Sequence, residues 1–242
     1  VDKAFIVQSL DDNFNVRRVE RFMVQIMEEN ISSVLVLNKA DLDFDRQSVE
    51  EQIKHISSQI PVFFTSIHQL ETIVRLRKSI SEGETVVFVG SSGVGKSSLV
   101  NALCEKPVLL TSDISLSTGK GRHTSTRREM VLMDSSGVLI DTPGVREFGL
   151  AIDNPDSLAE VLEISDYAEL CRFKDCKHIN EPGCAVIEAV NSGALDSKVY
   201  ASYLKLRREA WHFSASEHEK RKKEKSFTKL VEEVKNRKDA SR

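Results

Sequence analysis

A glycine-rich segment at residues 90–97 has the residue types and spacing of a phosphate-binding loop. It fits the pattern G-x-x-x-x-G-K-[ST], with a β-type run before it and a helical pattern after it. Its glycines let the backbone curl so that successive N–H groups face phosphate oxygens. We expect Lys96 to reach the β- and γ-phosphates and the Ser97 hydroxyl to bind Mg²⁺. The predicted phosphate-loop residues are Gly90, Ser91, Ser92, Gly93, Val94, Gly95, Lys96, Ser97 and Ser98.

A second polar segment, Asn38-Lys39-Ala40-Asp41, directly follows the apolar run Val34 to Leu37 and indicates which base is bound. The Asp41 carboxylate can accept hydrogen bonds from N1–H and the exocyclic amino group of guanine, whereas adenine has no matching donors on that edge. Leaving a buried acceptor unpaired against adenine costs on the order of 1 to 3 kcal/mol. We expect Asn38 to tie the base loop to its neighbours and the Lys39 stem to cover one purine face.

The segment Thr65-Ser66-Ile67 follows another apolar run, at Pro61 to Thr65, and is a weaker candidate for contacts to the base. The sequence is equally consistent with a plain turn at this point. We include Ser66 among the predicted nucleotide contacts.

Two further segments have the residue types of magnesium and γ-phosphate elements. Asp141-Thr142-Pro143-Gly144 follows the apolar run Val138 to Ile140, so Asp141 is predicted to hold the Mg²⁺ shell and the Gly144 N–H to sense the γ-phosphate. Residues 121–126 (GRHTST) are typical of a switch loop that supplies a threonine hydroxyl, with Thr124 our first choice and Thr126 the second. The predicted Mg²⁺ ligands are Ser97, Thr124 and Asp141.

The residue that would orient the attacking water is not evident after Gly144. In Ras-like GTPases a glutamine near this glycine has that role, whereas Val145 and Arg146 follow it here. A valine side chain cannot position water. We therefore expect slow intrinsic hydrolysis, with the catalytic group supplied by the switch loop or a partner. His123 is the local candidate, and an ordinary surface position is its alternative.

Three cysteines and one histidine form a compact cluster with the pattern C-x₄-C-x-H-x₅-C. Thiolates and an imidazole in this number suit tetrahedral Zn²⁺, and a site with four protein ligands is structural. A disulfide is the alternative, but it fits poorly with a cytosolic protein and three cysteines. The predicted Zn²⁺ ligands are Cys171, Cys176, His178 and Cys184.

The phosphate, base and magnesium elements all follow apolar runs, which indicates the architecture that positions them. Alternation of such runs with helical patterns predicts an α/β fold, with a mostly parallel sheet and helices on both faces. Ligands then bind beyond the carboxyl ends of the strands. The five predicted strands are Ala4 to Leu10, Val34 to Leu37, Pro61 to Thr65, Thr85 to Val89 and Val138 to Ile140, and the predicted helices are Val19 to Glu29, Ser48 to Ser57, Leu70 to Ile80 and Lys96 to Leu103.

The order of the motifs along the chain is circularly permuted. The base element at residue 38 precedes the phosphate loop at residue 90, whereas ordinary GTPases have the reverse order. We predict a permuted P-loop GTPase domain over residues 1–152 and a small helical zinc-binding domain with a basic tail over residues 153–242. Because the Asp141 segment leads directly into the second domain, a γ-phosphate-dependent movement there is expected to be passed on.

These motifs together resemble the ribosome small-subunit-dependent GTPases of the RsgA/YjeQ type. The resemblance rests on the permuted order, on residues 121–124 (GRHT), on residues 141–149 (DTPGVREFG) and on the cysteine cluster, and it extends to about residue 213. It implies GTP hydrolysis to GDP in late maturation of the 30S subunit, stimulated by that subunit, with the subunit and its rRNA as partners. It also implies an N-terminal OB-fold, a domain type that often contacts RNA and that these residues do not include.

The composition indicates the class of protein and its expected cellular location. A 40% hydrophobic and 29% charged chain is typical of a globular protein, and no apolar run approaches the roughly 20 residues of a membrane-spanning helix. Without a secretory signal pattern, we expect a cytoplasmic monomer. Val1 lies within a strand pattern and is not Met, which is consistent with a piece of a longer protein, and the sequence leaves open whether an OB-fold was removed or never present.

The basic C-terminal tail contrasts with the net charge of −3. An RNA-contacting arm and a solvated helical end both explain it. Its cations are Lys220, Arg221, Lys222, Lys223, Lys225, Lys229, Lys235, Arg237 and Lys238.

Two other functions remain open on the sequence alone. In the first, GTP occupancy orders an RNA-binding surface and hydrolysis is incidental. In the second, the protein is an ATPase or kinase, which requires Asp41 to be irrelevant to base choice.

Overall fold

The structure is a computed structural model that describes residues 1–110, 128–134, 137–143 and 155–214. Its strands are β1 (Lys3–Ser9), β2 (Ser32–Asn38), β3 (Val62–Phe64), β4 (Thr85–Val89), β5 (Glu129–Leu132) and β6 (Val138–Asp141). Its helices are α1 (Val16–Glu28), α2 (Arg46–Gln52), α3 (Lys54–Ser57), α4 (Leu70–Lys78), α5 (Lys96–Cys104), α6 (Pro155–Val161), α7 (Ser165–Ala168), α8 (Ala185–Ser192) and α9 (Ser197–Ser214).

The strands form one sheet in the order β3-β2-β1-β4-β6-β5. Every neighbouring pair is parallel except β5 and β6, which are antiparallel. The carboxyl ends of the five parallel strands therefore lie along one edge, where ligands bind in sheets of this kind. The predicted α/β fold with a mostly parallel sheet is confirmed.

Both faces of the sheet are covered, so its central strands are apolar on both sides. Along β1, Ala4 and Ile6 belong to one apolar cluster and Phe5 and Val7 to the other, and all four are fully buried. Helix α1 contributes to the first cluster through apolar side chains at three- and four-residue spacing. These are Val19, Phe22, Met23 and Ile26.

The C-terminal helices continue the first of these apolar clusters, which includes buried side chains from α6, α8 and α9. Polar contacts also join α1 to α9. The Arg21 guanidinium is 2.5 Å from a Glu209 carboxylate oxygen, and the buried Glu20 accepts a hydrogen bond from Ser202 and lies 3.0 Å from Nε2 of His55. The predicted domain boundary at residue 152 lies outside the described residues and stays a prediction.

Two local features differ from the sequence prediction. Strand β5 was not predicted, because it is a four-residue edge strand whose apolar side chains Met130 and Leu132 are exposed. The predicted helix over 48–57 is two helices, separated at Ile53 (φ −98°, ψ 7°). Because Ile53 and Ile56 are both buried, the apolar spacing continues across the break and does not reveal it.

Among the described residues, no helix has both the length and the apolar composition of a membrane-spanning segment.

Candidate functional site

The phosphate loop lies between β4 and α5, at the carboxyl edge of the sheet. Gly90 (φ +152°) passes so close to β1 that a Cβ there would lie 2.4 Å from the carbonyl oxygen of Val7. Gly95 (φ +94°) directly precedes α5, and a Cβ there would lie 2.3 Å from Nδ2 of Asn38. Glycine is therefore required at both positions, for the backbone conformation and for space.

Lys96 is buried at the start of α5, and its ammonium group donates to the carbonyl oxygens of Gly90 and Ser91 at 2.9 and 3.0 Å. Burial lowers the pKa of Lys96 from 10.5 to about 8, although the nearby charge of Asp141 opposes the shift. In this arrangement the Lys96 ammonium group is paired with neutral carbonyl oxygens. Phosphate oxygens would be anionic partners for the same group. The loop thus holds a cation that an anionic ligand would stabilise.

Ser97 on α5 and Asp141 at the end of β6 are in contact, and the Ser97 hydroxyl donates to Oδ2 of Asp141 at 2.6 Å. The Oδ1 atom of Asp141 is buried and has no hydrogen-bond partner among the described residues. Burial raises the pKa of Asp141, against the hydrogen bond from Ser97 and the charge of Lys96. A hydroxyl and a carboxylate with a free oxygen are hard ligands of the kind that Mg²⁺ prefers, so the residues fit that ion.

The buried charge of Lys96 gives a prediction for the nucleotide-free protein. A folded-state pKa below the unfolded value means that the unfolded chain binds more protons between about pH 8 and pH 10.5, so stability should rise with pH in that window. Lys96→Met removes the charge and should raise the free energy of unfolding by roughly 1 to 3 kcal/mol at pH 7. The gain should disappear above about pH 10.5. Urea unfolding at several pH values measures it.

The matched control is Lys78→Met, which removes an exposed lysine from α4 and should change stability little at any pH. A Lys96→Met protein that is less stable than the parent at pH 7, or a difference that does not vary with pH, would contradict the assignment.

The base loop is tied directly to the phosphate loop through Asn38 at the end of β2. Its Nδ2 donates to the carbonyl oxygen of Val94 at 2.9 Å, and its Oδ1 accepts from Oγ1 of Thr65 at 3.3 Å. Asn38 and Thr65 are both buried. The structure therefore brings three separate segments together at one point, and Asn38 contacts its neighbours in the manner expected from the sequence.

Asp41 faces solvent, with its Oδ1 accepting a hydrogen bond from the Ser66 hydroxyl at 2.5 Å. This hydrogen bond lowers the pKa of Asp41, so the carboxylate is charged at neutral pH. The sequence argument concerned a carboxylate that the base itself covers on binding, so the exposure of Asp41 leaves the predicted base contact a prediction. Ser66 itself is fully buried and lies beside Asp41.

The predicted metal ligands Cys171, Cys176, His178 and Cys184 come together, with ligand atoms all within 4.8 Å of one another. The Sγ atoms of Cys171 and Cys184 are 3.8 Å apart, and each lies 3.5 or 3.4 Å from Nδ1 of His178. Tetrahedral Zn²⁺ with bonds of about 2.3 Å to sulfur and 2.0 Å to nitrogen separates such atoms by roughly 3.8 and 3.5 Å. The cluster can hold a metal ion and fits zinc.

The loop that carries the cluster is fixed by its surroundings. The Glu181 carboxylate accepts backbone N–H groups of Lys177, Ile179 and Asn180 at 2.9 to 3.1 Å. The Tyr200 hydroxyl on α9 donates to the carbonyl oxygen of His178 at 2.5 Å. Burial, together with the charge of Arg207, lowers the pKa of His178, which keeps the imidazole neutral as a metal ligand requires.

Several predicted residues lie outside the described part of the chain. They are the switch-loop candidates His123, Thr124 and Thr126, the γ-phosphate sensor Gly144 with Val145 after it, and the basic tail. Their roles stay predictions. One contact that the sequence did not indicate is the ion pair of Lys39 with Asp11, which lies just beyond β1. Its signal was a polar residue shortly after a strand end, the same placement that singled out the other motifs.

Comparison with known proteins identifies the family. The RsgA GTPase family model matches residues 1–151. Small ribosomal subunit biogenesis GTPase RsgA 1 of Bacteroides thetaiotaomicron is 83% identical over 238 residues, which are 98% of this chain and 67% of that protein. RsgA 2 of Vibrio parahaemolyticus is 40% identical, over 97% of this chain and 65% of its own length. The chain thus spans about two thirds of the length of these relatives.

Solved structures agree with this result. The crystal structure of YjeQ from Thermotoga maritima has 28% sequence identity and a TM-score of 0.66, covering 89% of this chain and 73% of that one. That of YloQ, described as a circularly permuted GTPase, has 24% identity and a TM-score of 0.67, covering 89% and 70%, and it supports the fold alone. The resemblance inferred from the motifs is confirmed, and the chain belongs to the RsgA GTPase family of GTP-hydrolysing enzymes.

Proposed function

We propose that this chain hydrolyses GTP to GDP and phosphate in late maturation of the small (30S) ribosomal subunit, and that the subunit stimulates hydrolysis. The observation that carries the proposal is the joining of a base-selecting loop to a phosphate loop by the hydrogen bond from Asn38 to Val94. Names of relatives, which describe small-subunit biogenesis GTPases, supply the biological setting.

Within this proposal the side chains have separate tasks. Lys96 leaves the carbonyl oxygens of its own loop and pairs with the β- and γ-phosphates. Asp41, supported by Ser66, accepts the two donors of guanine. Ser97 and Asp141, with Thr124, hold Mg²⁺, which when bound neutralises charge on the phosphate oxygens. Gly144 is the proposed sensor of the γ-phosphate.

The second part of the proposal concerns the C-terminal residues 153–242. Cys171, Cys176, His178 and Cys184 hold one structural Zn²⁺, and the basic tail contacts rRNA. The protein acts as a cytoplasmic monomer that binds GTP, GDP and the small subunit. The supporting observation is that the ligand atoms of Cys171, His178 and Cys184 lie at tetrahedral spacing, with that of Cys176 within 4.8 Å of them, in a loop that other contacts already fix.

The decisive experiment compares single-turnover GTP hydrolysis with and without purified small ribosomal subunits. We expect stimulation of 10-fold or more. If subunits bind the GTP form more tightly but leave the hydrolysis rate unchanged, the chain is a nucleotide-dependent binding module. Because the chain spans about two thirds of the length of its relatives, a full-length relative should be tested beside this chain.

His123→Ala tests the source of the water-orienting group, since Val145 cannot provide it. Loss of a general base costs about 10²-fold or more, so the subunit-stimulated kcat should fall by that factor. GDP affinity measured on the same variant should stay near that of the parent, which separates catalysis from binding. An unchanged stimulated kcat would exclude His123 as the catalytic group.

A further inference from the structure

The side chain of Lys39 is held at both ends, and Asp11 holds its charged end. The Lys39 ammonium group lies 2.8 Å from Oδ2 of Asp11, just beyond β1. The backbone of Lys39 is in the left-handed region (φ +61°), and its carbonyl oxygen accepts the N–H of Leu42 at 3.0 Å. The four-carbon stem between these points therefore has little freedom, although a lysine side chain in solution has several rotatable bonds.

Asp11 is itself fixed by other contacts. Its Oδ1 accepts the hydroxyl of Ser9 at 2.7 Å and the backbone N–H of Asn13 at 3.0 Å, which leaves Oδ2 for Lys39. Partial burial acts to raise the pKa of Asp11, but the hydrogen bonds from Lys39, Ser9 and Asn13 outweigh it and lower this pKa to about 2. The carboxylate is a fixed anion at any physiological pH.

The position of this anion in the sheet relates it to the base loop. Ser9 pairs with Asn38 in the register of β1 and β2, and the N–H of Leu10 donates to the carbonyl oxygen of Asn38 at 2.9 Å. Asp11 is therefore attached to the strand next to the base element, on the side toward the phosphate loop. The side-chain exposures are 35% for Lys39 and 24% for Asp11, so the pair is partly exposed to solvent.

We propose that Asp11 is a positioning residue for guanine-nucleotide binding, which acts by holding the Lys39 stem in place as a wall against one face of the purine. This inference rests on the proposed guanine-nucleotide site. An unanchored lysine must be ordered when the nucleotide binds, and ordering such a side chain reduces affinity. With Asp11 in place, that ordering has already occurred in the free protein.

The test is GDP affinity of an Asp11→Asn protein, measured by fluorescence titration with labelled GDP. Asparagine keeps an acceptor for Ser9 and Asn13 but removes the charge that holds Lys39. We expect Kd to rise roughly two- to tenfold, with hydrolysis at saturating GTP unchanged. The effect should shrink in high salt, because a partly exposed ion pair is screened. Asp12→Asn, which removes the same charge from the exposed neighbouring residue, is the control and should leave Kd unchanged.

A double mutant separates positioning from a general structural role. If Asp11 acts through Lys39, then Asp11→Asn has no further effect in a Lys39→Ala background, whereas loop damage would weaken binding in both backgrounds. An unchanged or tighter Kd for the single variant would overturn the inference. A parent protein that binds GDP and ADP equally would contradict the proposed function itself. A parent protein that prefers GDP, together with an unchanged Kd for Asp11→Asn, would contradict only the role of Asp11.

Discussion

Replacing Asp41 with Asn is expected to move the nucleotide preference of the protein from GTP to xanthosine triphosphate. Xanthine carries a carbonyl oxygen where guanine has its exocyclic amino group. The asparagine amide donates to that oxygen, while its own oxygen accepts N1–H and the Ser66 hydroxyl, which now bonds to Asp41 at 2.5 Å. Each mismatched pair costs about 1 to 3 kcal/mol, so the ratio of GDP to xanthosine diphosphate affinity should change by about 10³-fold.

Competition between the two diphosphates for the binding site measures this ratio. The matched control is Asp43→Asn, which removes an exposed carboxylate two residues further along the chain and should leave the preference unchanged. A variant that loses affinity for GDP without gaining affinity for xanthosine diphosphate would show that Asp41 stabilises the loop but does not select the base. Equal affinities of the parent protein for GDP and ADP would refute the assignment of the base altogether.

The sequence predicted the parts of the site that depend on local backbone chemistry. A loop that cradles phosphate needs glycine at Gly90 and Gly95, because side chains there would meet Val7 and Asn38. Because the loop needs glycine at these points, the two glycines occur at a fixed spacing in the sequence. The strands that carry these loops are recognisable as apolar runs, since they are buried on both faces. The family resemblance and the mostly parallel sheet could therefore be inferred from the residue types and their spacing alone.

Features that depend on contacts between distant segments could not be inferred in the same way. The pairing of Asp11 with Lys39 joins polar residues from different strand ends, and the sequence does not show that these two side chains meet. The contact of Glu20 with Ser202 joins positions 182 residues apart. Exposure is equally non-local, so the motif did not indicate that the Asp41 side chain faces solvent while Ser66 beside it is fully buried. Polar residues at neighbouring strand ends are the sequence signal to examine for such pairs.

Removal of the proposed Zn²⁺ is the second change expected to have a large effect, and it should act on the C-terminal helices. Structural Zn²⁺ contributes on the order of 10 kcal/mol to small domains, which is as much as the total stability of many proteins. The Tyr200 hydroxyl on α9 contacts the loop that carries the cluster. Chelation, or Cys184→Ser, should therefore change the fluorescence of the single tryptophan, Trp211 on α9, and lower the melting temperature of this region.

The sheet and its nucleotide loops do not contain the ligands, so GDP affinity should change less than about threefold when zinc is lost. Cys104→Ala is the control, because this buried thiol lies on α5 outside the cluster and its loss should leave one zinc per chain. A Cys184→Ser protein that retains one zinc per chain and its parental Trp211 fluorescence would exclude a structural metal at this cluster. A large loss of GDP affinity would instead show that the apolar cluster shared by α1, α6, α8 and α9 couples the zinc site to the nucleotide site.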